Sequence, residues 1–409
     1  MFNFQKIIFV AGSAWCMQNI MTVLLTCSLL FLFIYILLLG YYYIGWKQAR
    51  EFTPDQFIKH PSTSVTIIIP ARNEGKNLPS LLSSLLAQHY PPELMEVLVI
   101  DDHSTDDTAA MLEAIKDQRI KLIPLIKYVD GNINSYKKKA IEVGIAESRG
   151  KLIVTTDADC IVPPDWLLAI CSYYELYSPA FIAAPVAFNC SNRFIEIFQA
   201  LDFMSLQGIT GAAVQKNIHS MCNGANMAYE RSAFFAVGGF EGIDALASGD
   251  DMLLMHKISK AFPKRIAFLK STAAIVQTTP QSTISGFFNQ RARWASKSFN
   301  YDDKTLLPVL AIVYLLNLCL LILPIAAAFC CAQISLYGFH ASLFELWLML
   351  LLLKTVAELV FLFPVARFFD KRSLLWVFPL MQPFHILYTV IAGFMGKFGS
   401  FSWKERSVK

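Results

Sequence analysis

The stretch Lys151-Leu152-Ile153-Val154-Thr155-Thr156-Asp157-Ala158-Asp159-Cys160 decides how the chain is read. Leu152 to Thr155 reads as a short buried strand, and Asp157 and Asp159 arrive where it should end, with one small residue between them. Strand ends of this kind are where α/β sheets bind ligands. Two carboxylates this close repel each other unless a cation sits between them. A hard divalent ion with oxygen ligands, its shell completed by a phosphate, meets that need. An isolated Asp-x-Asp is equally the mark of an acidic surface turn, so the surrounding chain has to decide.

Upstream, Val65 to Ile69 is a β-branched run ended by Pro70, which reads as a buried first strand; Ala71-Arg72-Asn73-Glu74-Gly75 is then a turn. Asn77 is placed to cap a helix through Leu78, Leu81, Leu82, Leu85 and Leu86. A second strand, Val97 to Ile100, runs into Asp101-Asp102-His103-Ser104-Thr105, where Ser104 or Thr105 is placed to cap the next helix. Strand, turn and helix alternating in this way predict an α/β fold with a mostly parallel sheet and helices on its faces. Lys137-Lys138-Lys139 opens a helix from about Ala140 to Glu147. Three such lysines are either a solvated helix start or, just ahead of an acidic turn, include one, Lys138 or Lys137, that meets phosphate.

Downstream, Trp166 to Tyr174 reads as helix and Phe181 to Phe188 as strand. Residues 193 to 213 carry Phe194, Phe198, Leu201 and Met204 at helical spacing, a stripe for core packing or for lying on a membrane surface. Asn223 and Gly224 lie in a loop of small and polar residues suited to close approach by a ligand. Ser248-Gly249-Asp250-Asp251 opens a helix from Met252 to Ile258, where carboxylates also serve as helix-dipole partners. Gln290-Arg291-Ala292-Arg293-Trp294, with Phe287 and Phe288 one turn earlier, reads by itself as a basic amphipathic helix on lipid headgroups.

The 409 residues are 55% hydrophobic with a mean hydropathy of +0.46, more apolar than the roughly 45–50% of ordinary soluble proteins. The excess sits in residues 20–46, 306–336, 343–366 and 374–396, each long enough for the roughly 20 residues of a membrane helix. The expected organisation is a segment 1–19, a membrane helix 20–46, a linker 47–62 and a catalytic domain 63–280. An interfacial helix 281–304, a membrane region 305–396 of two to three spans and a basic tail 397–409 follow. Lys47, Arg50 and Lys59 after the first span, against Lys6 before it, place the central domain in the cytoplasm. Pro379 and Pro383 interrupt the last apolar stretch, and Lys397, Lys404, Arg406 and Lys409 beyond it also favour the cytoplasm. An interfacial plus re-entrant segment and a full span both stay open there. Lys354, mid-helix, is expected to pair with Glu358 one turn on.

A net charge of +4 without a run of five like charges argues against a nucleic-acid partner. Nine cysteines without a Cys-x-x-Cys pair argue against a zinc site or a disulfide framework.

In this order the motifs resemble those of the membrane-bound members of glycosyltransferase family 2, which have a GT-A fold. They are a Pro-Ala-Arg-Asn-Glu turn, an Asp-Asp turn, Asp-x-Asp, an acidic pair before a helix and Gln-x-x-Arg-Trp. Cellulose and hyaluronan synthases and ceramide glucosyltransferase share the pattern. The resemblance covers roughly residues 63 to 298; the ending Trp403-Lys404-Glu405-Arg406 is similar to a Trp-Lys-Gly-Arg ending of some members, with Glu405 as a departure.

It implies an inverting transferase of the bacterial inner membrane with a nucleotide-sugar donor, usually a UDP sugar, a lipid or glycan acceptor and Mg²⁺ or Mn²⁺. Carried onto this chain, it implies that Pro70, Arg72, Glu74, Asp101, Asp102, Lys138 and Asp157 bind the donor nucleotide, with Asp102 on the uracil. Asp159 and Asp157 would hold the metal, and Asp251, beside Asp250, would be the general base. Asn223, Gly224, Gln290, Arg293 and Trp294 would hold the diphosphate and acceptor. Four or fewer spans favour a single transfer to a lipid; a processive polysaccharide synthase is the alternative.

Overall fold

The structure, a computed structural model, describes the chain except residues 1, 130–132, 219–220, 245, 247–248, 297–304, 330–332, 337–338, 399–400, 404–405 and 409. Ser248 of the acidic stretch, Lys297 and Lys304, and Lys404 and Glu405 of the chain ending lie outside the described residues.

In chain order the elements are α1 (Phe2–Gln48), β1 (Val65–Ala71), α2 (Leu78–Leu86), β2 (Met95–Asp101), α3 (Thr108–Glu113), β3 (Ile120–Pro124), α4 (Tyr136–Glu147), β4 (Leu152–Thr155) and α5 (Trp166–Tyr177). There follow β5 (Phe181–Ala183), β6 (Val186–Phe188), α6 (Phe194–Lys216), β7 (Met227–Glu230), α7 (Arg231–Ala236), α8 (Met252–Ala261), β8 (Ile266–Phe268), β9 (Val276–Thr278) and α9 (Ile284–Ser296). The last part holds α10 (Leu306–Phe329), a hairpin of β10 (Gln333–Leu336) and β11 (Phe339–Ser342), α11 (Leu343–Phe368), α12 (Phe378–Phe398) and a hairpin of β12 (Phe401–Trp403) and β13 (Arg406–Val408).

A seven-stranded sheet in the order β3-β2-β1-β4-β7-β5-β8 forms the centre, and only β7 runs antiparallel to its neighbours. The β-branched strands β1, β2 and β4 are almost wholly buried on both faces, as covered parallel strands must be. β1 continues past the expected end, through Pro70 to Ala71. The missing Pro70 N–H costs no ladder bond, because β4 stops pairing at Ile68↔Thr155 and leaves that side open. At that opening the chain turns into Asp157.

Capping differs from expectation. Asn77 caps no backbone group; its amide donates to Glu74 Oε2 (2.8 Å), and Glu74 starts the turn through its carbonyl. Ser104 and Thr105 bind Asn73 rather than a helix end, tying the turns after β1 and β2 together. The predicted strand Phe181–Phe188 is two strands in different sheets, broken at Ala184–Pro185, because β6 leaves β5 to pair with β9.

Gly150 has no room for a side chain: a Cβ there would collide with the Thr66 backbone nitrogen. Neither backbone can move without disturbing β1, so Gly150→Ala is expected to destabilise the protein by about 1–3 kcal/mol. An unchanged melting temperature of the purified protein would contradict this packing.

Among the described residues, four helices are long and apolar enough to cross a membrane: Asn19–Gln48, Leu306–Ala328, Leu343–Phe368 and Phe378–Gly396. α6 is no surface helix over most of its length. Gly45 of α1 meets Ala212, and Gly208 meets Val365 and Phe361 of α11, so α6 joins the sheet domain to the apolar helices. Lys354 pairs with Glu358 (2.7 Å) as expected, and Gln382 and Tyr35 complete a closed buried network with them.

Candidate active site

The cleft, about 570 Å³, opens where β1, β2 and β4 end. Pro70 lines it from the end of β1, Arg72 and Glu74 from the turn that follows, Asp102 from the turn after β2, and Asp157 and Asp159 from the turn after β4. Asn223, Gly224, Asp250 and Asp251 close one side; Gln290, Arg293 and Trp294 of α9 close another. Every residue named from the sequence reaches the cleft except Asp101 and Lys138. Both aspartates are buried, but Asp101 ends β2 and does not line the cleft, while Asp102, the first residue of the turn, does.

Lys138 is corrected to Lys137. On α4 successive side chains point about 100° apart. Lys138 is buried and does not line the cleft, donating instead to the carbonyls of Ile243 and Leu246. Lys137 enters the cleft, 2.7 Å from Asp157 Oδ1 and 3.2 Å from Asp250 Oδ2. Burial alone would lower its pKa, but the charges of Asp157, Asp250 and Asp251 outweigh that and hold it above the ordinary lysine value. It therefore stays an ammonium at neutral pH.

Gly224 allows this cluster to close. A Cβ there would sit 3.1 Å from Asp250 Oδ2 and 3.3 Å from Lys137 Nζ. The Gly224 carbonyl accepts from Thr155 Oγ1 (3.0 Å), so the end of β4 holds the loop in place. Asp251 N-caps α8, accepting from the Met252 N–H at 2.7 Å, and it also lines the cleft. The dipole role and the site role coincide in one carboxylate.

Desolvation of the part-buried Arg293 lowers its pKa, while Asp157, Asp250 and Asp251 act in the opposite direction. That opposition places the guanidinium in the field of all three carboxylates. Arg72 donates to the carbonyls of Asp102 (2.9 Å) and His103 (3.2 Å), holding the β2 turn, and Asp102 Oδ1 meets His103 Nδ1 at 2.9 Å. Gln290 Oε1 is buried with no hydrogen-bond partner among the described residues, the state of an acceptor awaiting a ligand or water.

The chemistry of the donor set fits a hard divalent ion: Asp157 and Asp159 offer carboxylate oxygens at the strand end, and diphosphate oxygens would complete the shell. Among the described residues no group of three metal-binding side chains is found.

The sequence did not reveal the α6 wall. Phe203, Leu206, Gln207 and Thr210 line the cleft together with Met221 and Trp294, whose ring is 6.1 Å from that of Phe203. The one available signal was polar Gln207 and Thr210 inside an apolar helix.

Residues 66–237 match the family described as glycosyl transferase family 2, and residues 152–395 match glycosyl transferase family group 2. A beta-monoglucosyldiacylglycerol synthase of Synechocystis sp. is 26% identical over 250 residues, 58% of this chain and 48% of that protein. An N-acetylglucosaminyltransferase of Rhizobium leguminosarum bv. viciae is 27% identical over 314 residues, 71% of this chain and 70% of that protein. The chain spans about half the length of the first of these. A mannosyltransferase from Pyrobaculum calidifontis, solved in complex with GDP-Man and Mn²⁺, has a TM-score of 0.53 at 19% identity, covering 90% of this chain and 99% of that one. That likeness is one of fold.

Proposed function

The chain belongs to glycosyl transferase family group 2, and we propose that it is an inverting enzyme that moves a sugar from a nucleoside-diphosphate donor, a UDP sugar, to a hydroxyl of a membrane lipid. The observation that carries this is the meeting of Lys137, Asp157, Asp250, Asp251 and Arg293 in one cleft.

Displacement at the anomeric carbon leaves negative charge on the β-phosphate. Lys137 and Arg293 are fixed cations beside that charge, and preorganised cations lower the barrier without reorganising during the reaction. Asp157 and Asp159 would hold Mg²⁺ or Mn²⁺, which when bound supplies Lewis-acid stabilisation of the leaving diphosphate. Asp102 is positioned for the base and Arg72 braces its turn. Asp251 takes the proton of the acceptor hydroxyl as the new bond forms on the face opposite the leaving group. Asp250, paired with Lys137, keeps that cation next to Asp157 until diphosphate competes for it.

Support for a lipid acceptor comes from the apolar wall of Phe203, Leu206, Met221 and Trp294, from the adjoining apolar helices, and from similarity to a diacylglycerol glycoside synthase. The purified protein, incubated with a panel of nucleotide sugars and a lipid extract, is expected to yield a chloroform-soluble product heavier by one sugar residue. Elongated water-soluble glycan would instead identify a processive synthase. No transfer from any donor would refute the proposal.

A further inference from the structure

α12 has the length and composition of a membrane span, yet its contacts do not follow a spanning course. Trp347 Nε1 of α11 donates to the Leu320 carbonyl of α10 at 2.9 Å, which sets a common level for these two antiparallel helices. At about 1.5 Å per residue, Tyr314 lies ~9 Å nearer the catalytic domain than that level, Lys354 ~10 Å nearer and Glu358 ~16 Å nearer. Near its start α12 touches α11 through Gln382, hydrogen-bonded to both Lys354 and Glu358 at 2.7 Å. Near its end α12 touches α10 at Gly393, where a Cβ would lie 2.7 Å from the Tyr314 ring. The ~16 Å of helix between Gln382 and Gly393 therefore changes level by only roughly 2–7 Å, an inclination of roughly 65–85° to α10 and α11.

Two further contacts agree. Phe384 and Tyr388 pack against Phe287 of α9, with ring centroids 6.1 and 5.2 Å apart, and Tyr388 donates to Asp202 (2.7 Å), which also pairs with Arg291 of α9. β12, beyond the end of α12, lies against α9, the helix that carries Arg293 and Trp294. A helix that crossed the bilayer would carry that hairpin to the other side. The face of α12 turned from these partners bears Leu380, Leu387 and Phe394 at seven-residue spacing, 79%, 41% and 60% exposed, with Trp376 just before it. Lys371 and Arg372 precede the helix and Lys397 closes it.

We propose that α12 lies along the catalytic-side leaflet, with Trp376, Leu380, Leu387 and Phe394 among lipid acyl chains and Lys371 and Arg372 at anionic headgroups, and that it forms the floor on which α9 rests. The occupant of this face is lipid, because α12 packs against α10 and α11, both long and apolar enough to cross a membrane, and α11 likewise leaves aliphatic side chains such as Leu352 and Val356 exposed. The hairpin 401–408 stays on the catalytic side. Nothing here depends on which sugar or acceptor the enzyme uses.

Single cysteines answer the question directly. Lys116→Cys marks the catalytic domain, His340→Cys the hairpin between α10 and α11, and Val408→Cys the chain end. Each full-length protein is treated with a membrane-impermeant maleimide in right-side-out and in inverted vesicles, and labelling of the parent protein is subtracted. The expected result is that Val408→Cys labels in the same vesicles as Lys116→Cys and in the opposite ones from His340→Cys. Labelling together with His340→Cys, or equally in both preparations, would overturn the proposal.

Discussion

Asp251→Asn is expected to lower turnover by about 10²–10⁴-fold, the contribution of a positioned general base, while donor binding persists. The substitution suits the test because Asp251 has two roles in this structure. It caps α8 through the Met252 N–H and it faces the cleft. Asn caps a helix about as well as Asp, so the fold should survive and the loss can be read as chemistry. Titration with the unreactive nucleoside diphosphate separates the two effects, since Lys137, Asp157 and Arg293 are untouched. Normal turnover in this variant would remove Asp251 from the role of base.

Chelation of divalent ions is expected to abolish transfer, and added Mn²⁺ or Mg²⁺ to restore it. Asp159→Ala should lower turnover by about a thousandfold, which is what several kcal/mol of Lewis-acid stabilisation amounts to. The geometry sharpens this expectation. Lys137 already sits 2.7 Å from Asp157, so one carboxylate of the pair is shared with an ammonium before donor binds. Asp159→Ala leaves the Lys137–Asp157 pair in place, so the substitution should weaken metal dependence more than it weakens the fold. Transfer indifferent to a chelator would show that Lys137 and Arg293 stabilise the diphosphate without a metal.

Much of this site was legible in the sequence because the motifs sit at strand ends, where the chain itself announces the geometry. A β-branched run followed by Asp157 or Asp102 can deliver those side chains only to the carboxyl edge of the sheet. Helices were harder. Lys137 and Lys138 are indistinguishable in composition, and the phase of α4 against β1 and β2 selects between them. Asn77, Ser104 and Thr105 had the chemistry of helix caps, yet Asn77 bonds Glu74 within its own turn, and the loops after β1 and β2 lie close enough that Ser104 and Thr105 bind Asn73 instead. α6 carried an apolar stripe that packing on α1, α11 and the sheet satisfied, leaving Gln207 and Thr210 to face the cleft.

By itself, the sequence determined the alternation of strand and helix, the five acidic and basic motifs in their order, and which segments are too apolar for water. Those are properties of local composition and period, and no partner is needed to read them. Which lysine meets Asp157, how α6 completes the cleft and how α12 lies against α9, α10 and α11 belonged to the tertiary structure alone. Each depends on the rotation or tilt of one helix against others, and that orientation is set by contacts between residues far apart in the chain.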